Sequence, residues 1–129
     1  MSVRIIVDST ADLVPEVKSR MHIVPLTVHF AEAEYVDGVT ITHKAFYEKL
    51  VECDTLPTTN QATPEAFAAQ FRAATEAGDT AVVITIASQL SGTCQSAMIA
   101  AEEYPGKVCV VDYLHEIYTD RNTKNPEYQ

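Results

Sequence analysis

Three short stretches of the chain, residues 8–10, 58–61 and 88–93, are dense in hydroxyl and amide side chains. Hydroxyls and amides donate hydrogen bonds to an oxyanion. Acid–base catalysis more often relies on histidines or paired carboxylates, and these stretches do not concentrate either. Their composition therefore predicts a site that binds an anion rather than one that runs a reaction.

The tripeptide Ser91-Gly92-Thr93 gives the strongest local signal. A glycine between two hydroxyl residues at the start of a helix exposes backbone N–H groups and lets an anionic ligand approach the main chain. The alternative is that Ser91 only caps the helix and Gly92 only forms the turn. Thr59 has a similar alternative, because threonine is a common turn residue, so the residues alone leave both interpretations open.

An enzyme built on this sequence would need Asp8 or Ser91 as its reacting group. Asp12 is the nearest second carboxylate to Asp8, and an aspartate between a strand and a helix is usually a cap. Ser91 would need a general base, and His115 is the one histidine that follows it. The sequence lacks the glycine signatures of dinucleotide-binding, triphosphate-binding and hydrolase folds, and its histidine and cysteine spacings predict no metal site.

The charge balance argues against nucleic acid as a partner. The 129 residues include 18 Asp and Glu against 9 Lys and Arg, which gives a net charge of -9 and no dense basic run. The first residues are too polar for a signal peptide, and no apolar run approaches the roughly 20 residues that span a bilayer. We therefore expect a cytoplasmic protein without a transmembrane segment.

Apolar runs alternate with helical patterns along most of the chain. Strands are predicted at residues 3–7, 22–30, 80–87 and 107–112, and helices near residue 15 and at 42–53, 63–78 and 94–104. Residues 35–38 are predicted as a turn and 54–63 as a loop. The fold class expected is α/β, with a parallel β-sheet of about four strands and helices on both faces. Ligands of such sheets bind beyond the carboxyl ends of the strands.

Five segments, taken together in their order, resemble the DegV family of bacterial proteins. They are VDSTADL at residues 7–13, VPLTV at 24–28, YVDG at 35–38, PTTNQ at 57–61 and LSGTCQSA at 90–97. We interpret residues 1–112 as an α/β domain like the N-terminal domain of that family. Residues 113–129 depart from the family pattern and are expected to form a poorly ordered polar tail, with the family's C-terminal domain absent.

The resemblance implies a lipid-binding carrier rather than an enzyme. Members of the family bind a long-chain fatty acid such as palmitate, and some present it to a separate fatty-acid kinase. The family's carboxylate contacts correspond here to Thr59 and Ser91, and the next residues, Asn60 and Gly92, add donors. The resemblance implies no catalytic residue, no metal and no cofactor besides the bound fatty acid.

The sequence departs from the family pattern at Asn60, where serine is usual, and at Ala62, where proline is common. The first change keeps a polar donor. Without a second domain one wall of the acyl tunnel would be missing, so we expect exposed apolar side chains and a homodimer that covers them. The side chains expected to be exposed are Phe67, Phe71, Met98 and Ile99.

Two other interpretations stay open at this point. The chain is a truncated fragment with little activity of its own, or it is a hydrolase or phosphotransferase that uses Asp8 or Ser91. Release of lipid from the purified protein favours the carrier, whereas turnover of a generic ester or phosphate favours the enzyme.

Overall fold

The computed structural model describes residues 2–112. The elements, in chain order, are β1 (Val3–Asp8), α1 (Pro15–Lys18), β2 (His22–Val24), β3 (Thr27–Phe30), β4 (Ala33–Val36), α2 (His43–Glu52), β5 (Thr58–Asn60), α3 (Pro64–Glu76), β6 (Thr80–Thr85), α4 (Thr93–Ala101) and β7 (Val108–Asp112). Within this range no helix combines the length and the apolar character that crossing a membrane requires. The predicted polar tail, residues 113–129, lies outside the described residues.

Four strands form one parallel sheet in the order β2-β1-β6-β7. The two central strands, β1 and β6, are rich in Val and Ile, whose branched side chains pack well on a pleated, buried surface. The predicted α/β fold class is confirmed, with a parallel sheet of four strands and packed helices. Because parallel strands share one direction, their carboxyl ends meet at one edge, and the hydroxyl-rich stretches 8–10 and 88–93 lie there.

The single strand predicted at residues 22–30 is wrong, because the chain forms two strands in different sheets. β2 ends at Val24 in the parallel sheet, and β3 begins at Thr27 in another. Pro25 stands between them and has no N–H with which to continue a ladder. The next N–H, that of Leu26, donates instead to Ser9 Oγ at 2.9 Å.

The second sheet is antiparallel, with the order β4-β3-β5, and the sequence did not predict it. The turn predicted at residues 35–38 begins later than expected, since β4 runs to Val36 and Gly38 turns the chain with a φ of 75°. The loop predicted at 54–63 contains β5, which pairs with β3. Helix α2 covers this sheet, and its Phe46 ring lies 5.4 Å from that of Phe30.

Helices α3 and α4 pack on one face of the parallel sheet. Thr63 caps α3 as predicted, because its hydroxyl accepts from the Ala66 N–H at 3.2 Å and Pro64 fits the first turn. Phe67 and Phe71 of α3 are fully buried. The expectation that these two rings are exposed is therefore wrong, since they form the core beneath the helix.

Other apolar side chains do remain accessible. Met98 and Ile99, on the outer side of α4, are 41% and 46% exposed, in agreement with the sequence expectation. Because side chains alternate along a strand, eight apolar residues point away from α3 and α4. We call this set the second face of the parallel sheet: Val3, Ile5, Val7, Ile23, Val82, Ile84, Cys109 and Val111. Within residues 2–112 it is the more open of the two faces, and Cys109 on it is exposed.

Candidate functional site

Asp8 organises the carboxyl edge of the parallel sheet. Its carboxylate is only 1% exposed and accepts from the N–H of Thr10 at 2.8 Å, from the Thr10 hydroxyl, and from the N–H of Ile86 at 2.6 Å. These bonds tie the end of β1 to the end of β6. The carboxylate oxygens are directed at these donors, which fits a structural cap better than a nucleophile.

Ser9 joins the parallel sheet to the chain that leads into the antiparallel one. Its hydroxyl accepts from Leu26 N–H, and its own N–H donates to the carbonyl of Val24 at 3.1 Å. The two sheets therefore meet at the strand ends, and the hydroxyl-rich stretches from both of them face one region.

The Ser91-Gly92-Thr93 turn begins α4, with Gly92 at the N-cap. Ser91 Oγ accepts from the N–H of Thr93 at 3.2 Å and lies 3.0 Å from Thr93 Oγ1. A hydroxyl has one proton and two lone pairs, so Ser91 can accept both bonds from Thr93 and still donate its proton to a ligand. Ser91 thus shapes the turn and remains a donor, and the two interpretations of this residue are compatible.

Thr59 lies in the middle of β5, opposite Val28 of β3. Its side chain is on the sheet surface that faces α2, because residues directly opposite each other share a face. Asn60 is on the other surface, where its Nδ2 lies 2.9 Å from His29 Nε2, and His29 in turn lies 3.4 Å from the Glu34 carboxylate. Alternation along β5 therefore separates the two neighbouring polar side chains.

A cavity of about 360 Å³ lies between the two sheets, and we call it the inter-sheet cavity. Its lining combines polar side chains from both sheets with apolar ones: Thr10, Leu26, Val28, Asp37, Thr59, Gln61, Ile86, Leu90, Ser91 and Gly92. Three of the four residues expected at the site, Thr59, Ser91 and Gly92, are brought together here. Asn60 is not among the lining residues.

Gln61 is the lining residue that sequence reasoning missed. It stands in the hydroxyl- and amide-rich stretch 58–61, but no role was assigned to it. Its Nε2 donates to Ser96 Oγ of α4 at 3.2 Å, so the side chain crosses from the end of β5 to the helix. The signal in the sequence was its position two residues after Thr59, which places both side chains on the same side of an extended chain.

The inter-sheet cavity continues into a second one of about 300 Å³. Four residues line both cavities: Thr10, Val28, Asp37 and Thr59. The second cavity adds His43, Phe46 and Tyr47 of α2 and residues 9, 11 and 12. The hydroxyls of the first cavity therefore adjoin an aromatic surface in the second. The rings of Phe46 and Tyr47 form the aromatic part of a lining that also contains Asp12 and His43.

The hydrogen-bond donors of the inter-sheet cavity are neutral, since no Lys, Arg or His is among the described residues that line it. Asp37 is the one charged side chain among the described residues that line it. The favourable electrostatic contribution comes from the N-terminus of α4, where the aligned peptide dipoles leave a partial positive charge. No group of three or more His, Cys, Asp or Glu within residues 2–112 is arranged to hold a metal ion.

Two groups with displaced pKa values lie outside this cavity. Hydrogen bonds from Ser2, and to a lesser extent from Arg4, lower the pKa of Asp79, the residue before β6. A hydrogen bond with Tyr35 raises the pKa of Lys49 on α2. Both shifts belong to surface contacts that fasten elements together.

The fold and the cavity define a class of protein: a parallel α/β fold whose strand ends face a small antiparallel sheet across a hydroxyl-lined cavity. The chain belongs to the DegV family, since the model of that family, described as an uncharacterised protein, matches residues 2–119. The resemblance seen in the five sequence segments is thereby confirmed.

Similar proteins agree with this assignment. A DegV domain-containing protein from Deinococcus radiodurans is 40% identical over 87% of this chain and 41% of its own length. Protein DegV of Bacillus subtilis is 31% identical over 91% of this chain and 42% of its own length. The chain thus spans about two fifths of the length of these curated relatives.

Solved structures show the same architecture. A DegV family protein from Thermus thermophilus, described by its fatty-acid binding, superposes with a TM-score of 0.78 at 40% identity, covering 87% of this chain and 41% of that one. A stearic acid-binding protein from Eubacterium ventriosum gives a TM-score of 0.76 at 33% identity, covering 97% and 47%.

Proposed function

We propose that this chain binds a long-chain fatty acid, with the carboxylate in the inter-sheet cavity. The observation that carries the proposal is that Thr59 and Ser91, from different sheets, line one cavity with Gly92 at the start of α4. The fatty-acid binding described for the similar structures supports it. No cofactor is required for this role.

Neutral donors and the helix terminus act together on the carboxylate. Hydroxyl bonds to an ionised group contribute about 1.5–3 kcal/mol each, and the helix N-terminus adds roughly 0.3–1 kcal/mol for an anion near an exposed surface. The carboxylate has two oxygens, so one can accept from Thr59 and the other from Ser91. These bonds fix the orientation of the ligand.

The acyl chain supplies most of the affinity. Burial of each methylene contributes roughly 0.8 kcal/mol, so a few enclosed methylenes match one head-group hydrogen bond. We place the first methylenes against Val28 and then Phe46 and Tyr47, where the neighbouring cavity turns aromatic. In this proposal the α/β domain of residues 1–112 provides these contacts.

The role we propose is that of a carrier that hands the acid to a separate fatty-acid kinase. Among the described residues, Ser91 Oγ is hydrogen-bonded to Thr93, which is not a general base. Both oxygens of Asp8 accept from the chain itself. These contacts favour binding over hydrolysis by either residue. A homodimer that covers the exposed Met98 and Ile99 side chains of α4 remains part of this proposal.

Native mass spectrometry of the purified chain, followed by titration with palmitate and with hexadecan-1-ol, tests the proposal. The two ligands have the same carbon chain and differ in their head groups. We expect the acid to bind at least about tenfold more tightly, because two charge-assisted bonds replace neutral ones. Equal affinities for acid and alcohol, or binding of neither, would refute a carboxylate site.

A further inference from the structure

The Gln61 side chain lies directly across Gly92. A Cβ added at Gly92 would stand 1.9 Å from Gln61 Oε1, 2.6 Å from Cδ and 2.9 Å from Nε2, and these are its three nearest atoms. Real Cβ atoms do not approach other atoms so closely. Any residue other than glycine at position 92 would therefore displace Gln61.

The far end of Gln61 is anchored. Gln61 is an exposed residue, but its Nε2 donates at 3.2 Å to the hydroxyl of Ser96 of α4, which is 1% exposed. Gln61 follows β5 directly, and β5 pairs with β3 of the antiparallel sheet. One side chain thus connects the strand that carries Thr59 to the helix that Ser91 precedes.

We infer that Gln61 is a positioning residue that sets the distance between the Thr59 and Ser91 hydroxyls. This inference rests on the proposed function. Gly92 then has a second reason to be glycine: it leaves the space through which Gln61 reaches α4. If Gln61 is removed, the fold is retained but the two donors no longer match the two oxygens of one carboxylate.

A double-mutant cycle tests the inference with Gln61→Ala, Gly92→Ala and the double variant. The readout is the ratio of the affinities for palmitate and hexadecan-1-ol, which a general loss of stability does not change. We expect each single substitution to lower this ratio about tenfold, since one donor is misplaced in both. Gln95→Ala is the matched control, because Gln95 is an exposed glutamine on the same helix.

The two substitutions should not be additive. When residue 61 is alanine, the three atoms nearest to the added methyl are gone, so Gly92→Ala should cause no further loss. A second measurement needs no ligand: Gly92→Ala should lower the melting temperature, and Gln61→Ala should restore part of it. If Gly92→Ala alone folds too poorly to bind ligand, the recovery of the melting temperature in the double variant still tests the contact between the two residues.

Each of the following results would overturn the inference. If the double variant lowers the affinity ratio by the product of the two single effects, Gln61 and Gly92 act independently. Equal losses of acid and alcohol binding in Gln61→Ala would assign Gln61 to the fold alone. If the wild-type chain prefers the acid and Gln61→Ala keeps that preference, only this inference fails, whereas a wild type that binds neither ligand refutes the proposed function and the inference with it.

Discussion

Replacing Thr59 by valine isolates the contribution of one hydroxyl to ligand binding. Valine keeps the branched shape and the strand preference of threonine, so β5 and its pairing with Val28 should persist. Thr58→Val is the matched control, since Thr58 is the neighbouring residue on the same strand. It stands opposite His29 on the other surface of the sheet and does not line the inter-sheet cavity.

The expected loss of palmitate affinity follows from the surroundings of Thr59. A hydrogen bond to a charged group contributes about 1.5–3 kcal/mol, which corresponds to a loss of roughly 10- to 150-fold in affinity. Thr59 is exposed in the structure, so its hydroxyl is already solvated before a ligand arrives. The free energy gained from this hydrogen bond is therefore at the lower end of that range. We expect Thr59→Val to bind palmitate about tenfold more weakly.

Displacement of a fluorescent fatty acid measures these affinities, with hexadecan-1-ol as the uncharged comparison. Thr58→Val should bind both ligands like the wild type, and Thr59→Val should lose affinity for the acid far more than for the alcohol. An equal loss in the two valine variants would show that the strand and not the Thr59 hydroxyl matters. An unchanged affinity for palmitate in Thr59→Val would remove Thr59 from the site.

Two further predictions concern stability. Phe71→Ala empties a fully buried position and should cost about 3–5 kcal/mol in urea unfolding, whereas Met98→Ala at an exposed position should cost under about 1 kcal/mol; similar costs would contradict the packing described. Hydrogen bonds from Ser2 and Arg4 lower the pKa of Asp79 in the folded chain. The ionised carboxylate therefore stabilises the fold above the pKa that Asp79 has in the unfolded chain, and this stabilisation is lost as the pH falls through the pKa of the folded chain. Asp79→Asn should therefore lower the melting temperature at pH 7 and converge with the wild type in acid, and a constant difference at all pH values would exclude this linkage.

The parallel sheet was predictable because its strands carry their own signal. The runs at β1, β6 and β7 are apolar and β-branched, and a glycine or a capping residue bounds each neighbouring helix. The antiparallel sheet had no such signal. Residues 58–60 are Thr, Thr and Asn, which resemble a loop until the pairing with β3 makes them a strand, and that partner lies about thirty residues away.

The site was predictable to the same extent as its strands. Thr59, Ser91 and Gly92 came from the family resemblance, and the structure brings them to one cavity. Asn60 could be separated from Thr59 only after β5 was known to be a strand, because alternation then directs their side chains to opposite surfaces. Gln61 was missed because its contact with Gly92 joins residues thirty-one positions apart and leaves no local pattern.

The placement of Thr59 on an edge strand has a kinetic consequence. β5 has three residues and one paired neighbour, whereas β1 and β6 are paired on both sides. Short edge segments open locally at a lower free energy than central strands. The backbone amides of β5 should therefore exchange hydrogen with solvent sooner than those of β1. Each opening of β5 would break the bond between Thr59 and a bound carboxylate, so the orientation of the head group would follow the local stability of the small sheet rather than that of the whole fold.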